Sequence, residues 1–325
     1  MKTHLQSVLL KTGEALDILR VTAPDEEYRE RILRHLHHKG EPWQTPMELN
    51  LQGDLEGLAQ HFYLGVVGEE VVGNASSIEA LQHPVGILQH VFTPPERRRL
   101  GICSSIIGAY AADFDARGGR AAYLHTEYDS TAYHIYRSAG FVGWRDTGIM
   151  ERFPDPKFAE DFWAVRPVTV RDTRWADWAL LEALYGIEEG GYLRSLYARQ
   201  WGRSGYEGQY VHHRKDLAEG RIAQWKVLEA ANGAIVGQAF IARDRTFRGD
   251  TWLLDVFLHP SYLAEGGRLL AALNLDLDAK LQAWCDSGQP EQAALLEAAG
   301  FSLEATLPRQ VRRGDKWLEL RLYAR

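Results

Sequence analysis

The chain is written twice. Val91-Phe92-Thr93-Pro94-Pro95 and Val256-Phe257-Leu258-His259-Pro260 stand 165 residues apart, and Gly101 falls on Gly266 at the same offset. Further on, Tyr136-Arg137-Ser138-Ala139-Gly140-Phe141 and Leu296-Glu297-Ala298-Ala299-Gly300-Phe301 stand 160 apart. A period of that length is far beyond the ~20–50 residues of a solenoid repeat. Each copy is long enough to bury its own core. Pro154-Asp155-Pro156-Lys157 breaks the pattern between them, which predicts domains at 1–153 and 162–325 with a linker at 154–161.

Within each copy, short apolar runs alternate with helical patterns, the signature of an α/β (α+β) class. In the first copy the patterning predicts strands at 15–21, 61–67, 70–78, 86–93, 120–126 and 141–153. Helices are expected at 25–38, 102–116 and 130–138, and 44–60 reads as irregular with short helices. The second copy reads as a strand at 163–171 and helices at 174–185 and 192–201. A hairpin at 224–230 and 234–242, a strand at 252–258, helices at 266–284 and 289–299, and two terminal strands follow.

Bulk properties narrow the function classes. Net charge is −7 over 325 residues, with 15 Lys+Arg against 20 Asp+Glu in 1–153. Neither half is basic, so a primary role on nucleic acid is not expected. No apolar run approaches ~20 residues, so no membrane span is expected. Two cysteines, Cys103 and Cys285, give no disulfide framework, and a cytoplasmic, reducing location is the expectation.

The segment Arg98-Arg99-Leu100-Gly101-Ile102-Cys103 joins a predicted strand to a predicted helix. A helix start leaves backbone N–H groups unpaired and carries partial positive charge, which suits an anion. Gly101 lets the backbone come close to a ligand. Some 30 residues on, Asp129-Ser130-Thr131-Ala132-Tyr133-His134-Ile135-Tyr136-Arg137-Ser138-Ala139-Gly140-Phe141 opens a second helix.

Together these segments resemble the two signatures of the GNAT N-acetyltransferase superfamily: a Gln/Arg-x-x-Gly-x-Gly/Ala pyrophosphate loop, and Asn-x-x-Ala-x-x-Leu-Tyr-x-x-x-Gly-Phe. Cys103 and Asp129 depart from the pattern. The resemblance implies two tandem domains, each a mixed, mostly antiparallel central sheet flanked by helices. It implies acetyl-CoA as co-substrate and no metal. The acyl acceptor would be a small-molecule or protein amine, and the chain a monomer or homodimer. Direct attack in a ternary complex would need Tyr136 as general acid to the departing thiolate. The base would be His90, whose ordinary pKa suits proton transfer near neutrality, or Glu127, or a water chain. Strand alternation turns either His90 or Gln89 toward the cleft, and a family bulge leaves that choice open. Acetyl-CoA would contact Val91, Phe92 and Thr93 through backbone groups, and Arg97, Arg98, Arg99, Leu100, Gly101, Ile102, Cys103 and Ser104 in the loop. Asp129, Ala132 and Tyr136 would complete the site. Ser104 would donate to phosphate or cap the helix.

Three readings compete locally. Cys103 is at a helix start, where a thiol pKa falls, yet the family position simply takes a small side chain. His35, His37 and His38 cluster without a metal-ligand spacing and read as a helix end; with Trp43 and Met47 they occupy the region that lines the acceptor pocket in the family. A non-catalytic acyl-CoA-binding regulatory module is the alternative to an enzyme.

The second copy has lost the chemistry. Leu263, Gly266 and Arg268 align with Arg98, Gly101 and Cys103, while Gln292 and Leu296 align with Ala132 and Tyr136. Leucine cannot donate a proton, so this half is expected to be non-catalytic. Trp201, Tyr206, Tyr210, His212 and His213 would line a pocket there, or serve as ordinary core and surface.

Overall fold

The computed structural model describes residues 1–53, 55–83, 85–245 and 250–325. They form two compact units, Met1–Phe158 with Arg174–Glu182, and Ala159–Thr173 with Ala183–Arg325.

The first unit runs β1 (Lys2–Leu9), β2 (Ala15–Thr22), α1 (Glu26–His35), α2 (Gln44–Gln52), β3 (Leu58–Val67), β4 (Glu70–Ala80) and β5 (Val85–Phe92). It continues with α3 (Ile102–Ala116), β6 (Ala121–His125), α4 (Thr131–Ser138), β7 (Val142–Gly143) and β8 (Ile149–Arg152). The chain goes on through α5 (Phe158–Trp163), β9 (Val168–Asp172), α6 (Trp178–Tyr185), β10 (Leu193–Ser195), β11 (Gln200–Trp201) and α7 (Glu207–Ala218). It ends with β12 (Ile222–Ala230), β13 (Ile235–Arg243), β14 (Trp252–Leu258), α8 (Gly266–Ala271), β15 (Leu281–Asp286), α9 (Pro290–Ala298), β16 (Ser302–Arg313) and β17 (Lys316–Ala324).

The first sheet has the order β1-β2-β3-β4-β5-β6-β8-β7 and the second β16-β17-β15-β14-β13-β12-β9. Every neighbouring pair is antiparallel except β5–β6 and β14–β15. Without β1, the two orders map strand for strand: β2 on β9, β3 on β12, β4 on β13, β5 on β14, β6 on β15, β8 on β17 and β7 on β16. The repeat is thus one topology used twice.

Two apolar layers sandwich the first sheet. On one face Ile102, Ile106, Ile107, Tyr110 and Phe114 of α3 pack with Tyr63, Val72, Leu88, Leu124, Tyr136 and Phe141. On the other, Tyr28, Ile32, Met47 and Leu51 of α1 and α2 pack with Phe62, Leu64 and Val66. Each fully buried side chain of this size contributes about 1.5–3 kcal/mol relative to exposure. Helix α1 starts where Asp25 accepts from the Tyr28 N–H at 2.9 Å, with Glu26 and Glu27 in its first turn, as capping chemistry predicts.

Several elements differ from the sequence reading. Residues 192–201 form β10 and β11 rather than a helix, and the helix comes later, as α7. The pattern at 266–284 divides into α8 and β15. The Asn274 side chain accepts from the Asp276 N–H at 3.1 Å, a local turn that competes with helix. Beyond it, Leu281, Ala283 and Cys285 are buried, and buried residues two apart belong on one face of a strand. The strand expected from 163 begins only at Val168, after Pro167, which cannot donate to a ladder.

Candidate acyl-CoA site

Strands β5 and β6 part company early. Their parallel pairing covers only Val85–Ala121, Gly86–Ala122 and Ile87–Tyr123. Beyond Ile87 the β6-facing edge of β5 has no strand partner among the described residues. On its other edge β5 carries a bulge. Ser76 pairs with Gln89 but Asn74 pairs with Phe92, so two residues, His90 and Val91, oppose Ala75 alone. His90 takes the left-handed region at φ 52, a costly conformation for a residue with a Cβ. The Asn74 side chain holds it there, donating Nδ2–H to the His90 carbonyl at 2.8 Å.

The bulge answers which side chain faces the cleft. Phe62, Ser76 and Gln89 form one cross-strand row on the α1–α2 face. Past the extra residue, the His90 ring lies 5.5 Å from that of Trp43, which packs on the same layer. Gln89 and His90 therefore share a face, which simple alternation forbids.

His90 is buried, and burial drives its pKa down to about 3, helped by the charges of Lys39 and His38. Its ring is neutral near pH 7, well outside the range in which an imidazole is a poised base. This corrects the expectation of a base poised near pH 7. Glu127 is exposed. His125, passed over in the sequence, sits at the end of β6 opposite in face to Leu124, and its Nε2 is 2.6 Å from Oε1 of the buried Glu182. Residues 174–182 lie far along the chain, so no local signal could have linked the two.

At the far end of β5, the loop turns into α3. Gly101 caps the helix at φ 97, and no side chain caps the first turn. A Cβ added there would meet nothing within 4 Å. An open helix start with its positive end suits an anion. Arg99 is exposed at φ 65. Arg98 folds back, donating Nε–H to the Thr93 carbonyl at 3.1 Å, which fixes the turn. Arg97 differs from its expectation: its guanidinium is already engaged by Glu14 at 3.3 Å and Glu70 at 2.9 Å. Ser104 turns its hydroxyl back on its own helix, donating to the Gly101 carbonyl at 2.9 Å, and so leaves the first-turn N–H groups uncapped. Ile102 is buried and Leu100 and Cys103 pack on the α3 core; burial raises the Cys103 thiol to about 11, which removes the nucleophile reading.

Helix α4 opens at Ser130, whose side chain accepts from the Tyr133 N–H at 3.2 Å. Asp129, at φ 57, pairs with His134 at 3.0 Å. Ala132 packs on the α3 core, and Tyr136 is 6% exposed with its ring 6.2 Å from Phe141. The His35 and His38 rings lie 5.1 and 4.0 Å from the Phe92 ring. No metal-holding group of His, Cys, Asp or Glu occurs among the described residues.

The second unit fills its own gap. β14–β15 pairing also ends early, after Leu254–Ala283. There Gln292 Nε2 lies 3.4 Å from the carbonyl oxygens of both Val256 and Trp284. Gln289 Nε2 donates to the Gln292 Oε1 at 2.9 Å and to the Leu193 carbonyl at 3.2 Å. The bulge is missing too: β13 and β14 pair in unbroken register from Gly237–Leu258 to Arg243–Trp252. Register puts Asp255 where Gln89 stands, and its buried carboxylate accepts from Ser195 Oγ and the N–H groups of Leu196 and Tyr197. Gly266 is helical at φ −57 and is small because Leu295 and Leu258 press on it, at 2.7 and 3.0 Å from a would-be Cβ. An adjoining cavity of about 280 Å³ carries Glu189 and Glu291 on its wall and no cation. Tyr206, Tyr210 and His213 are buried, with Tyr206 Oη 2.7 Å from His213 Nδ1, so they are core.

Residues 25–141 match the model of the acetyltransferase (GNAT) family. No curated protein sequence matches. Among solved structures, yncA of Salmonella typhimurium with its cofactor acetyl-CoA is similar at 21% identity, covering 49% of this chain and 92% of that one (TM-score 0.41). A phosphinothricin acetyltransferase from Sinorhizobium meliloti in complex with AcCoA gives 19%, 49%, 87% and 0.41 in the same order. Spermidine N-acetyltransferase from Vibrio cholerae, with CoA and spermine, gives 14%, 49%, 94% and 0.37.

Proposed function

Because residues 25–141 match the model of the acetyltransferase (GNAT) family, we propose that the first unit transfers an acetyl group from acetyl-CoA to a primary amine by direct attack in a ternary complex. The observation that carries this reading is the continuity of the gap. The unpaired edge of β5 beyond Ile87 leads to the uncapped start of α3 at Gly101. The edge suits the amides of a pantetheine arm, and the helix start suits its pyrophosphate. Tyr136 protonates the departing thiolate. The amine proton leaves through water, with neutral His90 as a hydrogen-bonding group. The second unit, its gap filled by Gln292 and its cavity acidic, binds no acetyl-CoA.

The test is thiol release from acetyl-CoA with a panel of amines, alongside calorimetric binding. Tyr136→Phe is expected to lower kcat by about 10²-fold or more, the usual size of a general-acid contribution, with acetyl-CoA affinity kept. A second reading, acyl-CoA binding without chemistry, draws on the burial of Tyr136 against Phe141. Acetyl-CoA binding without turnover of any amine favours it; absence of acetyl-CoA binding defeats both.

A further inference from the structure

Gln89 is 4% exposed, and both polar atoms of its side chain, Nε2 and Oε1, are buried without a hydrogen-bond partner among the described residues. Asn74 Oδ1, one step along the same face of the bulge, is in the same condition. Buried amides are ordinarily paired, and an unpaired one is destabilising. The backbone around Gln89 is by contrast fully organised: Ser76 Oγ reaches its carbonyl at 3.3 Å and Asn74 holds the next one. An orphaned amide on a strand this well ordered calls for a ligand.

The hydrogen-bonding inventory says which kind. A Gln side chain offers a donor and an acceptor side by side. Its complement must offer an acceptor and a donor on one edge. An ammonium only donates and a carboxylate only accepts. A trans peptide group points its N–H and C=O to opposite edges. A primary carboxamide meets both requirements.

We propose that the acyl acceptor is a small amine carrying a primary carboxamide, and that Gln89 recognises that carboxamide through a reciprocal pair of hydrogen bonds. This rests on the acetyltransferase reading of the first unit. Gln89 determines specificity and takes no part in the chemistry.

The experiment uses the full chain, acetyl-CoA and three matched probes: 3-aminopropanamide, β-alanine and propane-1,3-diamine, with their one-carbon-longer homologues. They share an amine and a spacer and differ in the distal group. The amides are expected to exceed both partners in kcat/KM by about tenfold or more, the discrimination open to a site built for a specific hydrogen-bonding group. Gln89→Met is expected to erase that preference through KM, to leave calorimetric acetyl-CoA affinity unchanged, and to melt at the same temperature or higher. A wild-type enzyme that favours the diamine or the acid, or an amide preference that survives in Gln89→Met, overturns the proposal. So does turnover of other amines with none of the amides. If no amine is acetylated at all, the acetyltransferase reading itself falls.

Discussion

Asn74 holds the carbonyl of His90 at 2.8 Å, and through it the one extra residue that shapes the first unit's gap. Asn74→Ala leaves a buried carbonyl without its donor, at a cost of about 1–3 kcal/mol. Urea denaturation is expected to register that loss, and calorimetry a parallel loss of acetyl-CoA affinity. Asn50→Ala, which breaks the buried Asn50–Gln60 bond of 3.0 Å elsewhere in the unit, is the control: stability falls and affinity holds. Equal loss of affinity in both variants rejects a specific role for the bulge.

The aligned glycines should respond in opposite ways. Gly101→Ala meets no atom but places a side chain at φ 97, costing about 1–2 kcal/mol. Gly101→Glu puts an anion at the helix start and should abolish acetyl-CoA binding. Gly266→Ala drives a Cβ to 2.7 Å from Leu295, an overpacking cost of about 1–3 kcal/mol, and should leave binding intact. Binding retained in Gly101→Glu refutes the placement of the pyrophosphate.

Acetyl-CoA should bind one per chain. Gln292→Ala removes the side chain that spans Val256 and Trp284 but leaves Glu189 and Glu291 in place and supplies no cation. The stoichiometry by calorimetry is expected to stay at one. A second equivalent in the variant assigns the whole loss to that glutamine.

Acid should unfold the protein in two overlapping stages. Burial lowers His61 to about 4, with Arg117 and Arg20 adding to it. The unfolded chain takes up that proton below about 6.5, so the native state binds fewer protons between these values. Stability therefore falls as pH drops from about 6.5 to 4, by roughly 1.4 kcal/mol per unit per group. Below that window Glu79 adds to the loss. Burial opposes its ionisation, but bonds from Arg117 at 2.6 and 2.8 Å overcome this and hold its pKa below the usual 4.5. His61→Gln should flatten the decline of the urea midpoint between pH 7 and 5. An unchanged slope removes His61 from the account.

Much of this fold was legible because it is local. The strand, glycine turn and helix at 86–116, and the start of α4 at Ser130, follow from alternation and capping within a few residues. Repetition did the rest, since one aligned copy corroborated the other. Where reading failed, the deciding partner was distant or the signal short. Asn274 cut a helical pattern with a single side-chain bond. Arg97 looked like its two neighbours in sequence and differs because Glu14, from the β1–β2 turn, and Glu70, from β4, come to it. The pKa of His90 departs from its ordinary value for the same kind of reason, since it is set by burial that no residue type announces. That the Gln89 amide has no hydrogen-bond partner among the described residues can be seen only once every potential partner has been placed.

The unbroken register of β13 and β14 bears on how the two halves can be exchanged by evolution or by design. Tyrosine for Leu296, arginine for Leu263 and alanine for Gln292 are ordinary substitutions, each reachable alone. The bulge is a difference in length: β14 is one codon short of β5 at the position that matters. Substitution alone cannot restore it; an insertion is needed, and its extra residue must be accommodated as β5 accommodates His90 and Val91 opposite Ala75. The two halves therefore differ in strand length as well as in side chains, and converting one into the other takes an insertion or deletion besides substitutions.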